Sequence, residues 1–112
     1  MKKITYLISA SLLMHLTSAN ASTQTGKVSQ IYSRDYDGLV WIYIQGERTG
    51  EIPACAKGGY MMIKNENSPT GKRQLALLMM AQAANKTVSI EGTNTCTRWV
   101  DGEDIGTVSI RK

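Results

Sequence analysis

Apolar positions fall into short alternating runs separated by turn-forming residues, with one longer stretch that breaks the alternation. "KVSQIY" (27–32) alternates as a strand, with Val28, Gln30 and Tyr32 facing one way. "SRDYDG" (33–38) reads as a turn, because an Asp-Gly pair tolerates the positive φ of a tight hairpin. "LVWIYIQ" (39–45) is the strongest strand: Val40, Ile42 and Ile44 line one face, and Leu39, Trp41 and Tyr43 the other. Apolar residues on both sides predict that both faces are covered. "STQTG" (22–26) reads as a short polar lead, and "GERTGEIPACAKGG" (46–59) as a glycine-rich loop. "YMMIKN" (60–65) reads as a third strand, "KTVSIEG" (86–92) as a fourth with Val88 and Ile90 inward, and "GTVSIRK" (106–112) as a fifth with Val108 and Ile110 inward.

Between the third and fourth strands the period changes. Ser68 suits a helix N-cap and Pro69 the first helical position. "KRQLALLMMAQAAN" (72–85) consists almost wholly of good helix formers, and Asn85 ends it. The order β-β-β-α-β-β predicts a mostly β protein with one helix (α+β), an OB-fold-like five-stranded Greek-key barrel. Other small α+β arrangements share that order.

The helix carries more apolar surface than one packing face needs. Leu75, Leu78 and Met79 form an inward stripe, while Leu77 and Met80 point to roughly the opposite side. A second apolar stripe on so small a domain predicts a contact with another subunit or partner, with burial inside the monomer as the alternative.

The N-terminus changes what composition implies. "MKKITYLISASLLMHLTSANA" has a basic start, an apolar run and a small-x-small end, the anatomy of a secretory signal peptide cleaved after Ala21. Residues 22–112 would then be a single domain. Removal takes away Lys2 and Lys3 and no acidic residue, so the formal net charge of +4 falls by two. It also removes His15, the only histidine, and with it the imidazole needed for a catalytic triad or a zinc site.

The mature chain keeps two cysteines, Cys55 and Cys96. An even count in an exported protein reads as a disulfide, and neither cysteine lies in a Cys-x-x-Cys redox motif. No catalytic residue, cofactor or metal is expected. Asp101-Gly102-Glu103-Asp104 lacks the spacing of a calcium loop and reads as a solvated turn. Ser68 and Lys72 read as a cap and an exposed first-turn side chain rather than as a dyad.

Trp99, with Arg98, Asp101, Glu103 and Asp104 nearby, has what a sugar site needs: an aromatic face for the CH face of a pyranose and charged groups for its hydroxyls. Tyr60 completes the candidate glycan-binding set. The alternative is a tryptophan folded over the disulfide as core. Trp41 and Tyr43 read as structural packing.

Taken together, the export segment, "GKVSQIY", "PACA", the Ala-Leu-Met helix, "KTVSIEG" and the second cysteine resemble the B subunits of AB5 toxins. The nearest likeness is to the pertussis and subtilase groups, in which an Ala-Cys pair precedes a strand and an alanine-rich helix. The likeness covers most of residues 26–110, and the same features resemble small exported proteins of proteobacteria. It implies a homo-oligomer, such as a pentamer, with helices around a central pore that receives an enzymatic A subunit, and binding of a cell-surface glycan. Leu77, Met80 and Ala84 would then form the oligomer or partner interface. Cholera-type B subunits carry Cys-x-Trp in the late loop; here Cys96-Thr97-Arg98-Trp99 is one residue longer. The subtilase group's serine-centred sialic-acid site has no clear equivalent.

The expected function is thus an exported, non-enzymatic binding module, periplasmic or secreted, without a stable membrane anchor. One alternative is a periplasmic envelope protein acting through protein contacts without a sugar. Another is an OB-fold binder of single-stranded nucleic acid, against which the modest mature charge and the export signal count.

Overall fold

The computed structural model describes residues 21–112; the expected signal segment, apart from Ala21, lies outside the described residues. Along the chain run β1 (Ser22–Ser33), β2 (Val40–Gln45), β3 (Arg48–Gly50), β4 (Met61–Met62), α1 (Pro69–Ala83), β5 (Thr87–Gly92) and β6 (Glu103–Ile110). Hydrogen bonding runs β2-β4-β6-β5-β1, and β1 pairs back onto β2, so these five strands close a barrel. β4 and β6 are parallel; the other pairings are antiparallel. The fold is therefore mostly β with one helix among the described residues, in the OB-fold-like order that the sequence predicts. β3, which the sequence reads as loop, adds a short edge strand to β1.

Closure depends on β1 serving two neighbours. Its first half pairs with β5 from Thr23 to Lys27, and its second half pairs with β2 from Lys27 to Ser33. At the changeover sits Gly26, where an added Cβ would lie 1.5 Å from the Gln45 carbonyl oxygen. Only glycine fits there. The polar lead 22–26 is thus strand, and Ser22 and Gln24 are buried. Burial is tolerated because both are hydrogen-bonded: the Gln24 amide donates to the Ile44 carbonyl at 3.1 Å and the Gly46 carbonyl at 2.8 Å.

A bulge between Val28 and Gln30 shifts the phase of β1. Strict alternation would place Val28, Gln30 and Tyr32 on one face. The extra residue instead leaves Val28 and Ile31 toward the core and turns Gln30 and Tyr32 outward. Inside the barrel, Val28, Val40, Ile42, Ile44, Met61, Ile63, Val88, Ile90 and Ile105 pack together, with Val108 and Ile110 at the margin. The outer face of β2 is covered only in part: Trp41 and Tyr43 are half-buried, while Leu39, just before the strand, is fully buried.

α1 begins as the sequence predicts. Ser68 accepts a hydrogen bond from the Gly71 amide at 2.9 Å, and Pro69 opens the first turn. Asn85, with φ of 53°, ends it, a conformation that asparagine tolerates better than most residues. The buried face is Gly71, Gln74, Leu78 and Ala81, with Leu75 partly buried against the core. Met79, expected in the inward stripe, is 56% exposed. Gln74 takes a place on that face because its amide donates to the Gly106 carbonyl at 3.0 Å, which ties α1 to β6. No helix among the described residues is long and apolar enough to cross a membrane.

Candidate functional site

Cys55 and Cys96 form a disulfide, with Cα atoms 6.2 Å apart at a sequence separation of 41. It ties the loop before β4 to the long loop between β5 and β6. The Gly58 amide donates to the Asp101 carbonyl at 2.9 Å and reinforces the same junction. The Tyr60 ring slots between Gly58 and Gly102, where an added Cβ would lie 2.4 Å and 2.7 Å from ring carbons. The Tyr60 hydroxyl donates to the Asp101 carboxylate. Burial and that carboxylate push the phenol up to about 12, so it stays a neutral donor.

Asp101–Asp104 is not the solvated turn that the sequence predicts. Glu103 and Asp104 are both fully buried. Asp104 accepts from the Thr95 hydroxyl at 2.8 Å, from the Thr97 amide and hydroxyl at 2.9 and 2.6 Å, and from the Arg98 amide at 3.2 Å. The loop folds around this carboxylate, and Trp99, one residue farther on, is positioned by it. Burial pushes the Asp104 pKa up, but the bonds from Thr97, Thr95 and Arg98 outweigh it and hold the value below normal. Glu103 accepts from the Ser22 hydroxyl, from the Arg48 guanidinium and, at 2.8 Å, from the Asn94 amide. Charged residues spaced like a turn are buried because the β5–β6 loop, Ser22 of β1 and Arg48 of β3 supply them with donors. A sequence offers no sign of that.

The sign of the Asp104 shift fixes a pH window. A depressed native pKa adds stability that is complete above the ordinary aspartate value of about 3.9. That stability is lost as pH falls from there through the lower native value. Denaturant midpoints followed from about pH 6 to about pH 2.5 are expected to fall more steeply for the wild type than for Asp104→Asn. Equal slopes would exclude this role, since Asp37 and Glu66 also have lowered values and are common to both proteins.

On the outer face of β2 and β4 these loops enclose an aromatic cleft of about 240 Å³. Trp41 and Tyr43 come from β2, Met62 from β4, Tyr60 from the disulfide loop, Trp99 from the β5–β6 loop, and Arg34 from the β1–β2 turn. Trp99 is 38% exposed, at the surface rather than in a core over the disulfide. The Arg34 guanidinium lies over Trp41 at 5.4 Å and over Trp99 at 5.2 Å. It is held by two hydrogen bonds to Asp37, of 3.1 and 2.6 Å. Tyr43 and Tyr60 meet edge to face at 5.8 Å.

Of the residues expected at a glycan site, Trp99 and Tyr60 line this cleft and Asp101 borders it through the Tyr60 hydroxyl. Arg98 points away. Its guanidinium donates to Glu66 and to the Asp37 carbonyl, and it lines a separate groove at the start of α1. That groove is larger, about 700 Å³, and two of its polar groups are engaged: Ser68 caps the helix and Arg98 is paired with Glu66. Trp41, Tyr43 and Arg34 were not assigned to the site from sequence, since a strand's outward aromatics look the same whether packed or lining a cleft. Leu77 is half-buried, Met80 is 55% exposed and Ala84 is exposed, on the outward side of α1. Among the described residues no group of His, Cys, Asp and Glu side chains is placed to hold a metal ion. In comparison with known protein families, curated proteins and solved structures, the chain matches none.

Proposed function

We propose that the protein is an exported carbohydrate-binding module that takes a sugar residue into the aromatic cleft. The observation that carries this reading is the convergence of Trp41, Tyr43, Tyr60 and Trp99 with Arg34 from four chain segments. OB-folds bind oligosaccharides and oligonucleotides on the face formed by their second and third strands and the loops flanking it. Here that face is β2 and β4 with the β1–β2 and β5–β6 loops. Aromatic rings pack on the apolar face of a pyranose, and Tyr60, Asp101 and Arg34 offer polar groups for its hydroxyls. A polyanionic strand would need unpaired cations, yet Arg34 is paired with Asp37 and Arg98 with Glu66.

The exposed Met79 and Met80 support a second element, self-association through the outward side of α1. Both are tested on one preparation of residues 22–112. On a glycan array, wild-type protein is expected to bind a defined set of glycans, and Trp99→Ala to weaken that binding about tenfold or more. Unchanged binding by Trp99→Ala would remove the cleft from the reading. Light scattering at micromolar concentration is expected to give a mass several times that of one chain; a monomer would exclude self-association.

A further inference from the structure

The cleft is small for a complete ligand. Pockets that enclose a whole small molecule commonly run to roughly 300–1,000 Å³, and this one holds about 240 Å³. It takes about one ring, and the rest of any longer ligand must lie outside. The aromatic surface does not stop at the cleft mouth. Arg34 spans it: the guanidinium lies over Trp41 and Trp99 and also over the Tyr36 ring, 4.6 Å from its centroid. Tyr36 lies in the β1–β2 turn, outside the cleft lining, and is 78% exposed. A tyrosine so open would ordinarily be free to turn into water, but here its ring is stacked on a cation that Asp37 holds by two hydrogen bonds. Asp37 engages Nε and Nη2 of Arg34, not Nη1. Tyr32, by contrast, covers Trp41 by parallel stacking at 5.0 Å and 8°. That side of Trp41 is closed, and the surface continues from the cleft toward Tyr36.

Building on the reading of the cleft as a sugar site, we infer that Tyr36 and Arg34 form a second subsite, so that the ligand is an oligosaccharide of at least two residues. One residue enters the cleft against Trp99. Its neighbour lies across the Tyr36 ring, with Nη1 of Arg34, which Asp37 does not engage, donating to a hydroxyl. The arrangement is chemically economical. Stacking selects the apolar face of each pyranose, and an arginine already neutralised by Asp37 donates hydrogen bonds without demanding an anionic sugar.

The test uses residues 22–112 and an array carrying common monosaccharides singly and at the ends of linear di-, tri- and tetrasaccharides, followed by calorimetric titration of the best pair. Wild-type protein is expected to bind the longer glycan about tenfold more tightly than its terminal monosaccharide. Tyr36→Ala is expected to erase that difference and leave monosaccharide affinity unchanged, whereas Tyr36→Phe retains it. Trp99→Ala weakens both. Equal affinity for the monosaccharide and the longer glycan, or a Tyr36→Ala protein that keeps the difference, overturns the second subsite while the cleft stands. Absence of any glycan bound by the wild type overturns the sugar reading and the subsite with it. Because Tyr36 is so exposed, its variants retain the fold, and a thermal melt superimposable on the wild type verifies this.

Discussion

Replacing Cys55 and Cys96 together by alanine is expected to lower the unfolding free energy by about 4 kcal/mol. The two cysteines are 41 positions apart, and the chain between them includes β4, α1 and β5. Without the bond, the unfolded chain regains the freedom of that whole loop, and the folded state must overcome it with contacts alone. A domain built from residues 22–112 has little surplus for this, since small domains bury only about 60–65% of the surface that their unfolded chains expose. Denaturant unfolding of oxidised wild type and of the double variant, compared at equal m-value, measures the effect. A loss under about 1 kcal/mol would mean that the packing of β4 and β6 already constrains the two loops without the bond.

Glu103→Ala is expected to cost about 3–5 kcal/mol, because it strands a nearly buried arginine. The Arg48 side chain is 10% exposed and that of Glu103 is 0% exposed. Arg48 also donates to the Ser22 hydroxyl at 3.0 Å, and Ser22 donates in turn to Glu103. This network joins the first residue of β1, the edge strand β3 and the first residue of β6. Removing the carboxylate leaves the guanidinium, the serine hydroxyl and the Asn94 amide without their shared acceptor. Replacing both charges, as in Arg48→Met with Glu103→Leu, is expected to recover much of the loss, because no uncompensated charge remains. Thermal or urea unfolding of the three proteins checks this. A single variant within about 1 kcal/mol of wild type, or a double variant no better than the single, would contradict the assigned role of the pair.

Much of the barrel is legible in the sequence. Alternation in "VWIYIQ" placed Val40, Ile42 and Ile44 inside, and Val88 and Ile90 behaved likewise. Strands expose their burial pattern at a period of two, so a short run suffices. Ser68, Pro69 and Asn85 marked the helix ends for equally local reasons. The disulfide followed from cysteine count and the expected export. What escaped was non-local. The strand at 22–26 is polar, and it is held by partners at Ile44, Gly46 and Glu103, far along the chain. The bulge near Ser29, which sends Tyr32 outward, leaves no mark in an alternating pattern. On α1, the sequence expected Met79 inward, but Gln74 takes a place on the buried face because Gly106 supplies a carbonyl there.

The same division runs through the candidate site. The sequence picked out Trp99, Arg98, Asp101 and Tyr60 because they suit sugar chemistry, and the fold assembles Trp99 and Tyr60 with Asp101 at the border while turning Arg98 toward Glu66. Trp41, Tyr43, Arg34 and Tyr36 joined them only in three dimensions, from a strand and a turn more than 50 residues away from Trp99.

By itself, then, the sequence determined the helix and the apolar strands, which cysteines pair and where the helix stops. These depend on the residue and its immediate neighbours, or on a count that distance does not alter. Tertiary structure alone decided which charges are buried and which rings converge. A carboxylate such as Glu103 can lie inside only where other segments bring donors to it, here Ser22 and Arg48, and an aromatic cleft exists only where barrel closure sets separate strands and loops side by side.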